Sequence, residues 1–313
     1  MRGPMAKETR ARLLPNAPFA HIMPPMRFFK FHGYGNDYLI IEEASLQRNV
    51  RMGEFVRRLC DRHRGAGADG VAIIGPSSEA DFHVRIFNAD GSEAAMSGNG
   101  TRCAAAYLYY NGLWSADELQ LSTRAGIKLY RLCGRYGTRR FRFEAEIGRP
   151  VFESAAIPMR TDEPREIVLD YPLEVGEQRV AVTALQMCNP NCCVFVEDFA
   201  RVDWRALGSL IERHPRFPER TNVEFIRVES RDRISVRVWE RGVGETASSG
   251  TGACAAAVAA CLKGATDRRV MVEMPGGTLE VEWREDGEVV LSGTAEAVYR
   301  AEWLDLEEGN GEA

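Results

Sequence analysis

The sequence predicts an α+β protein built from two domains of similar design, with a ligand-binding cleft between them. Three observations predict this. The chain has 313 residues, about twice an ordinary domain of roughly 150 residues. A series of short motifs recurs at a nearly constant spacing, and each copy of the series combines strand-forming with helix-forming segments. A cleft at the pseudo-twofold axis of such a pair is the expected place for a ligand.

The composition excludes several classes of function. Hydrophobic residues make up 45% and charged residues 27%, as in a folded protein with a real core. The formal net charge of −5 and the pI near 5.7 argue against a partner that is nucleic acid or anionic lipid. The longest apolar runs fall far short of the ~20 residues that a membrane helix needs. We therefore expect neither nucleic-acid binding nor membrane insertion.

The cysteines and glycines argue against metals and cofactors. The eight cysteines form no C-x-x-C pair and lack zinc-type histidine spacing, so they indicate reduced thiols of a cytoplasmic protein and no metal site. The segment Gly33-Tyr34-Gly35 lacks the third glycine of a dinucleotide fingerprint, and no phosphate-binding P-loop motif occurs. Lys30 stands in a strand-like context that gives no support for a pyridoxal enzyme. We expect no cofactor.

An internal repeat is the most informative feature of the sequence. Val84–Asn88 recurs 152 residues later as Val236–Glu240, and Ser97–Gly100 recurs at the same spacing as Ser249–Gly252. Three further pairs lie within a residue or two of this spacing: 61–63 with 212–214, 68–71 with 221–224, and Asn36 with Asn189. Five matches in register indicate a duplicated domain.

The predicted elements follow the same repeat. Branched and aromatic residues predict strands over Phe28–Ile41, Val71–Gly75, His83–Asn88, Val194–Glu197, Val223–Val228 and Ile234–Glu240. Helices are predicted over Arg51–His63, Trp204–His214, and the alanine-rich segments Cys103–Leu108 and Ala253–Leu262. The later runs Gln120–Leu132, Arg140–Ile147, Arg269–Trp283 and Glu288–Ala297 predict further sheet.

The two S-G-x-G loops carry the strongest chemical signal. A glycine-rich loop that enters a helix presents free backbone N–H groups at the positive end of the helix dipole, which favours an anion. Two such loops at one cleft could hold a single small carboxylate, with Ser97 and Ser249 on opposite sides of it. The alternative is an N-cap followed by a tight turn. Recurrence of the loop nine residues after Asn88 and after Glu240 favours the anion site.

These loops and the segments around them resemble the diaminopimelate epimerases, members of the wider proline-racemase-like superfamily. The resemblance covers about residues 26–300. The stretches that carry it are Phe29–Tyr38, Cys60–Gly70, Arg85–Glu93, Gly98–Gly100, Asn189-Pro190, Thr221-Asn222, Glu240–Thr246 and Gly250–Ala253. The resemblance implies two domains, each a β-barrel-like sheet around a central helix, that close on the substrate. We expect the first domain at 26–145, completed by a strand near 292–304, and the second at 146–291, after a disordered leader at 1–25.

The resemblance also implies an activity and a set of site residues. The implied reaction converts LL- to meso-diaminopimelate without a cofactor, by two-base proton transfer. The implied partner is therefore a small molecule, and a homodimer is compatible with the sequence. The residues that hold the substrate's polar groups would be Asn36, Asn88, Asn189, Asn222, Glu240 and Arg241. The backbone amides that hold its α-carboxylate would belong to Gly98, Asn99, Gly250 and Thr251.

The sequence departs from the family at the two reacting positions. The family has a cysteine before each glycine, whereas this chain has Ser97 and Ser249. A thiol titrates near 8.5 and lower at a helix N-terminus, while a hydroxyl sits closer to the ~15.7 of water. Asn191 stands where the family often has histidine. We therefore predict impaired epimerisation.

Three interpretations of the two serines remain open. The chain is an epimerase whose two cysteines have been replaced, or a divergent member with another reaction, such as dehydration of a hydroxy-amino acid or another racemisation. The third interpretation is a non-catalytic amino-acid-binding protein. All three share the same ligand site.

Overall fold

The computed structural model describes residues 26–46 and 50–304, so the predicted leader at 1–25 lies outside the described residues. The first half contains β1 (Met26–Gly33), β2 (Asn36–Glu42), α1 (Met52–Cys60), β3 (Gly70–Pro76), β4 (Phe82–Asn88), β5 (Glu93–Ala94), α2 (Gly98–Tyr110), β6 (Glu118–Thr123), β7 (Gly126–Tyr136) and β8 (Arg140–Gly148). The predicted α+β class is confirmed.

The second half repeats the order of the first after one additional strand. It contains β9 (Val168–Val175), β10 (Gln178–Gln186), β11 (Pro190–Phe195), α3 (Trp204–Glu212), β12 (Asn222–Ser230), β13 (Arg233–Glu240), β14 (Gly244–Thr246), α4 (Gly250–Leu262), β15 (Arg269–Met274), β16 (Gly277–Trp283) and β17 (Val289–Trp303). The elements β10 to β17 match β1 to β8 one by one, and β9 has no counterpart among the described residues of the first half. The internal repeat is therefore a repeat of structure as well as of sequence.

Both halves are sheets that curl around a helix, and within the described residues the first alone forms a closed circuit of paired strands. In the first half each strand pairs with the next, and the last pairs with the first. The order of this circuit is β1, β2, β3, β4, β6, β7, β8 and β17, and β17 pairs with β1. In the second half, pairing runs from β9 through β13 and β15 to β17. Among the described residues no ladder joins β17 back to β9 or β10, and the chain after β8 adds a single bridge from Val151 to Gln186.

The enclosed helices are made of small residues because they are surrounded by sheet. The central turns of α2 and α4 are fully buried, as their alanines Ala104, Ala105, Ala255 and Ala256 show. A helix that is apolar all round is a core helix. Helices α1 and α3 instead bury one face against the outside of their sheets and expose the other. No helix in the described part of the chain is long and apolar enough to cross a membrane.

The predicted strand Phe28–Ile41 is wrong as a single element. It is the hairpin of β1 and β2, which turns at Tyr34 and Gly35. Both residues have positive φ, 57° and 86°, as the two central residues of a tight hairpin turn require. The turn escaped the sequence analysis because a tyrosine rarely adopts this conformation.

Candidate active site

The two S-G-x-G loops form helix N-termini of nearly identical geometry. Ser97 and Ser249 are the N-cap residues of α2 and α4, with φ of −135° at both and ψ of 123° and 125°. The Ser97 Oγ accepts a hydrogen bond from the Gly100 N–H at 3.1 Å, and the Ser249 Oγ accepts one from the Gly252 N–H at 3.2 Å. Each serine thus caps the third amide of its helix and leaves the first two for a ligand.

Both helix N-termini open into one cavity of about 750 Å³ between the halves. All twelve residues predicted for the site line this cavity: Asn36, Asn88, Ser97, Gly98, Asn99, Asn189, Asn222, Glu240, Arg241, Ser249, Gly250 and Thr251. A larger cavity of about 890 Å³ lies at the C-terminal end of α2, around Phe29, Tyr107 and Arg300. It contains none of the predicted residues, so the smaller cavity is the candidate site.

Asn36 is held in the cavity wall by a cluster of charged groups. Its side-chain N–H donates to Asp69 Oδ2 at 2.9 Å. Arg62 lies 2.7 Å from Asp69 and 2.9 Å from Asp37, and Lys30 lies 2.6 Å from Asp37. We call Lys30, Asp37, Arg62 and Asp69 the ion cluster. Asp69 is not among the site residues predicted from the sequence, because its partner Asn36 lies 33 residues away.

The ion cluster makes the stability of the folded chain depend on pH. Burial alone would raise the pKa of Asp37, but hydrogen bonds from Arg62 and Lys30 lower it from its usual 3.8 to about 2. A carboxyl whose pKa is depressed in the folded state stabilises the fold above its unfolded pKa, and this stability is lost as the pH falls through the folded value.

We therefore expect the free energy of unfolding to fall by about 2 kcal/mol between pH 4 and pH 2 because of Asp37 alone. Urea denaturation at a series of pH values measures this loss. Asp37→Asn, which has no titrating group, should be less stable at pH 5 and should lose less than the unaltered chain on acidification. An acid loss of the same size in Asp37→Asn would contradict the assignment.

In the second half, a chain of amides takes the place of the ion cluster. The Asn191 amide donates to Asn189 Oδ1 at 3.1 Å, and the Asn222 amide donates to Asn191 Oδ1 at 3.3 Å. The Arg241 backbone N–H donates to Asn222 Oδ1 at 2.9 Å. Asn191 is fully buried and connects the cavity residues Asn189 and Asn222 from behind. The position at which the family often has histidine is thus occupied here by an amide that supports other amides.

Glu212 anchors the turn that carries Glu240 and Arg241. Its carboxylate accepts the Gly242 backbone N–H at 2.9 Å and the Trp239 indole N–H at 3.0 Å. The Glu212 side chain is 2% exposed. From the sequence, the segment 212–214 is interpreted as a helix-end cap and salt link, with an acid–histidine pair as the alternative. The carboxylate reaches beyond the helix because β13 ends beside it.

The two serines have different neighbours. The Tyr38 hydroxyl donates to Ser97 Oγ at 2.8 Å. Ser249 lies beside the Glu240 carboxyl, which also accepts from the Thr246 hydroxyl at 3.1 Å. Burial raises the pKa of Glu240, although these two hydroxyls lower it. Tyr38 is not among the site residues predicted from the sequence, because no local pattern connects it with a serine 59 residues away.

One cysteine, Cys188, lines the cavity within the described residues. Cys188 is exposed, and desolvation by the groups around its thiol raises the pKa of that thiol. Cys188 has φ of 63°, in the region that favours glycine, and it occupies the place that Gly35 has in the first half. Among residues 26–46 and 50–304, no group of three or more His, Cys, Asp or Glu side chains is arranged to hold a metal ion.

Comparison with known proteins agrees with this geometry. A family model described as diaminopimelate epimerase matches residues 28–149 and 183–299. The strand β9 lies between the two matched stretches. The diaminopimelate epimerase of Pelotomaculum thermopropionicum is 45% identical over 281 residues, which cover 89% of this chain and 99% of that protein.

Solved structures share the fold at low sequence identity. A phenazine biosynthesis protein of the PhzF family from Bacillus anthracis has a TM-score of 0.64 and 17% identity, over 90% of this chain and 99% of that chain. A hydroxyproline epimerase from Agrobacterium vitis has a TM-score of 0.63 and 16% identity, over 89% of this chain and 91% of that chain. The family model and the 45% identical relative together decide the family. The chain is an isomerase of the diaminopimelate epimerase family.

Proposed function

We propose that the chain takes diaminopimelate into the cavity between its halves and interconverts the LL and meso isomers without a cofactor, at a reduced rate. The observation that carries the proposal is the convergence of two matched helix N-termini on one cavity lined by the family's motif residues. Meso-diaminopimelate is a precursor for lysine and cell-wall synthesis, so the chain would serve those pathways.

The cavity offers a complementary set of groups for this substrate. The amides of Gly98, Asn99, Gly250 and Thr251 stand at the positive ends of two helix dipoles and suit the α-carboxylate. The planar guanidinium of Arg241 suits a second carboxylate because it binds both oxygens at once. The polar side chains that remain to orient the substrate's ammonium groups and carboxylates are Asn36, Asn88, Asn189, Asn222 and Glu240.

Reduced activity follows from the chemistry of the two hydroxyls. In a two-base epimerisation one group removes the α-proton and the opposite group returns one. Ser97 and Ser249 flank the reacting carbon in this proposal, and their hydroxyls ionise near the ~15.7 of water. A shift of about five pKa units, the upper end at active sites, still leaves a hydroxyl protonated at neutral pH.

A non-catalytic amino-acid-binding protein is the second candidate. It is favoured by the same two serines, together with the raised pKa of the cavity thiol Cys188. Either function is compatible with a cytoplasmic location, since all eight cysteines are free. Either is also compatible with a homodimer, because one chain supplies the whole cavity lining.

Titration calorimetry with LL- and meso-diaminopimelate tests the proposal. We expect both isomers to bind, and we expect Arg241→Met to bind at least about tenfold more weakly through the loss of a charged hydrogen bond. Arg179→Met is the matched control, because Arg179 pairs with Glu174 on the surface. Chiral chromatography of the same mixtures then separates an epimerase from a binding protein. Absence of binding to the folded chain would contradict the proposal.

A further inference from the structure

Arg102 is a buried cation whose partners are all neutral. It lies in the second turn of α2 and is 2% exposed, and within residues 26–46 and 50–304 no other lysine or arginine is buried. Its Nε donates to the Thr294 carbonyl at 3.1 Å, and its Nη2 donates to Asn99 Oδ1. A buried charge is normally paired with an opposite charge. In the described part of the chain Arg102 forms no ion pair, so the protein itself leaves this charge uncompensated.

The neighbouring strands are shaped around the Arg102 guanidinium. A Cβ on Gly33 of β1 would lie 2.8 Å from Arg102 Nη2, and a Cβ on Gly293 of β17 would lie 3.2 Å from its Cζ. The Tyr34 ring covers the guanidinium, with 5.6 Å between the ring centroid and Cζ. The Tyr34 hydroxyl accepts the Thr294 N–H at 3.0 Å, which keeps the ring in place. Two glycines and one anchored ring therefore hold the cation at a fixed position.

The hydrogen bond from Arg102 fixes the orientation of the Asn99 side chain. A guanidinium only donates, so the Asn99 atom that faces it is the amide oxygen. The Asn99 Nδ2 remains as a donor: it bonds to no group in the described residues, and it is not sealed off from the cavity that Asn99 lines. Asn99 is the second residue of α2, where free backbone N–H groups favour an anion. Its side chain adds one more donor to this helix start.

The second helix lacks this arrangement. The repeat pairs Asn99 with Thr251 and Arg102 with Cys254. Cys254 is fully buried, and burial keeps its thiol neutral by raising its pKa, although the charge of Arg102 lowers that pKa. Among the described residues, the buried positive charge near the two helix N-termini therefore belongs to α2 alone.

We propose that Arg102 is the positioning residue of the carboxylate site: it fixes the Asn99 amide and, through that amide, brings a positive charge to the α-carboxylate of the substrate. This inference rests on the proposed function and extends it to a residue outside the cavity lining. A hydrogen bond from a charged donor polarises the amide that accepts it, so Asn99 Nδ2 is a stronger donor than an ordinary amide. The bound carboxylate in turn supplies the opposite charge that Arg102 does not find in the protein.

A double-mutant cycle, measured by titration calorimetry with meso-diaminopimelate, tests whether Arg102 acts through Asn99. Arg102→Met keeps much of the side-chain volume and removes the charge, so we expect binding at least about tenfold weaker than in the unaltered chain. Asn99→Ala keeps the backbone amide and removes the side-chain donor. In that background Arg102→Met should weaken binding by less than about threefold, because the connection is already broken. A purely structural role would lower the stability to urea and leave the affinity of the folded protein unchanged.

Rescue by free guanidinium ion is a second, independent test. Arg102→Ala leaves a space that the ion fits, bordered by Gly33, Gly293 and the Tyr34 ring. Guanidinium at about 20 mM, far below the molar concentrations that unfold proteins, should strengthen diaminopimelate binding to this variant at least about fivefold. Urea has nearly the same shape without the charge and should have no such effect. Cys254→Ala is the matched control: it removes a buried side chain at the equivalent position of α4 but no charge, so it should bind like the unaltered chain and should not respond to guanidinium.

The outcomes separate this inference from the proposed function. Unchanged affinity of folded Arg102→Met, or additive effects in the cycle, would overturn the inference and leave diaminopimelate binding in place. The same holds if guanidinium restores binding to folded Arg102→Ala no better than urea does. Should Arg102→Ala fail to fold, the cycle decides alone. Absence of binding to the unaltered chain would count against the proposed function itself.

Discussion

Replacing both Ser97 and Ser249 by cysteine is expected to raise the rate of α-hydrogen exchange in diaminopimelate by about 10²- to 10⁴-fold, the usual contribution of a well-placed acid or base. Each residue is the N-cap of a buried helix, where the dipole favours a thiolate. The replacement changes one atom at each site and keeps the N-cap backbone. Deuterium uptake measured by mass spectrometry checks the expected rise.

The same double variant should also make the two sides of the reacting carbon chemically alike, because a thiol then stands on each side. Ser248→Cys is the matched control, because Ser248 lines the same cavity one residue before the N-cap. It adds a thiol to the loop without placing it at the helix start, and we expect no comparable rise. A folded double variant that binds diaminopimelate and exchanges no faster than the unaltered chain would contradict two-base chemistry at these positions.

Glu212→Ala is expected to lower the free energy of unfolding by about 3 kcal/mol and to weaken diaminopimelate binding. The change removes a buried carboxylate that accepts from the indole N–H of the half-buried Trp239 and from the backbone N–H of Gly242, and hydrogen bonds to a charged group contribute about 1.5–3 kcal/mol each. Binding weakens because the freed turn carries Glu240 and Arg241. Urea denaturation and calorimetry measure the two effects.

Two further variants test whether the loss of stability comes from the hydrogen bonds of Glu212. Glu212→Gln keeps one carbonyl oxygen as an acceptor and should lose less stability than Glu212→Ala. Glu174→Ala removes one partner of an exposed ion pair with Arg179, so we expect a loss below about 1 kcal/mol. If Glu212→Ala destabilised no more than Glu174→Ala, the turn would not depend on Glu212.

The internal repeat made much of the fold predictable. A pair such as Val84–Asn88 and Val236–Glu240 indicated two copies of one unit, and the structure matches the elements of β1 to β8 with those of β10 to β17. The repeated S-G-x-G loops likewise predicted two similar helix starts. Local sequence suffices for these features because an N-cap and its helix lie within a few residues of each other.

The contacts behind the cavity wall were not predictable in the same way. Asn36 contacts Asp69 across 33 residues, and Tyr38 contacts Ser97 across 59. Such contacts depend on how the strands pair, which no local pattern reports. A signal was nevertheless present, because the repeat that pairs Asn36 with Asn189 also pairs Tyr38 with Asn191. Where matched positions of the internal repeat carry chemically different residues, the two sides of the cavity between the halves differ as well.

The long last strand has a consequence for how the protein is made. β17 completes the circuit of the first half by pairing with β1 and β8. β8 ends at Gly148 and β17 at Trp303, so on the ribosome the first barrel stays open on the order of 10 s after β8 emerges, at about 5–20 residues per second. During that time β1 and β8 expose unpaired edges, which other nascent chains can join. Synthesis of this protein should therefore be sensitive to chaperone supply, and a stop codon before β17 should leave both edges permanently exposed.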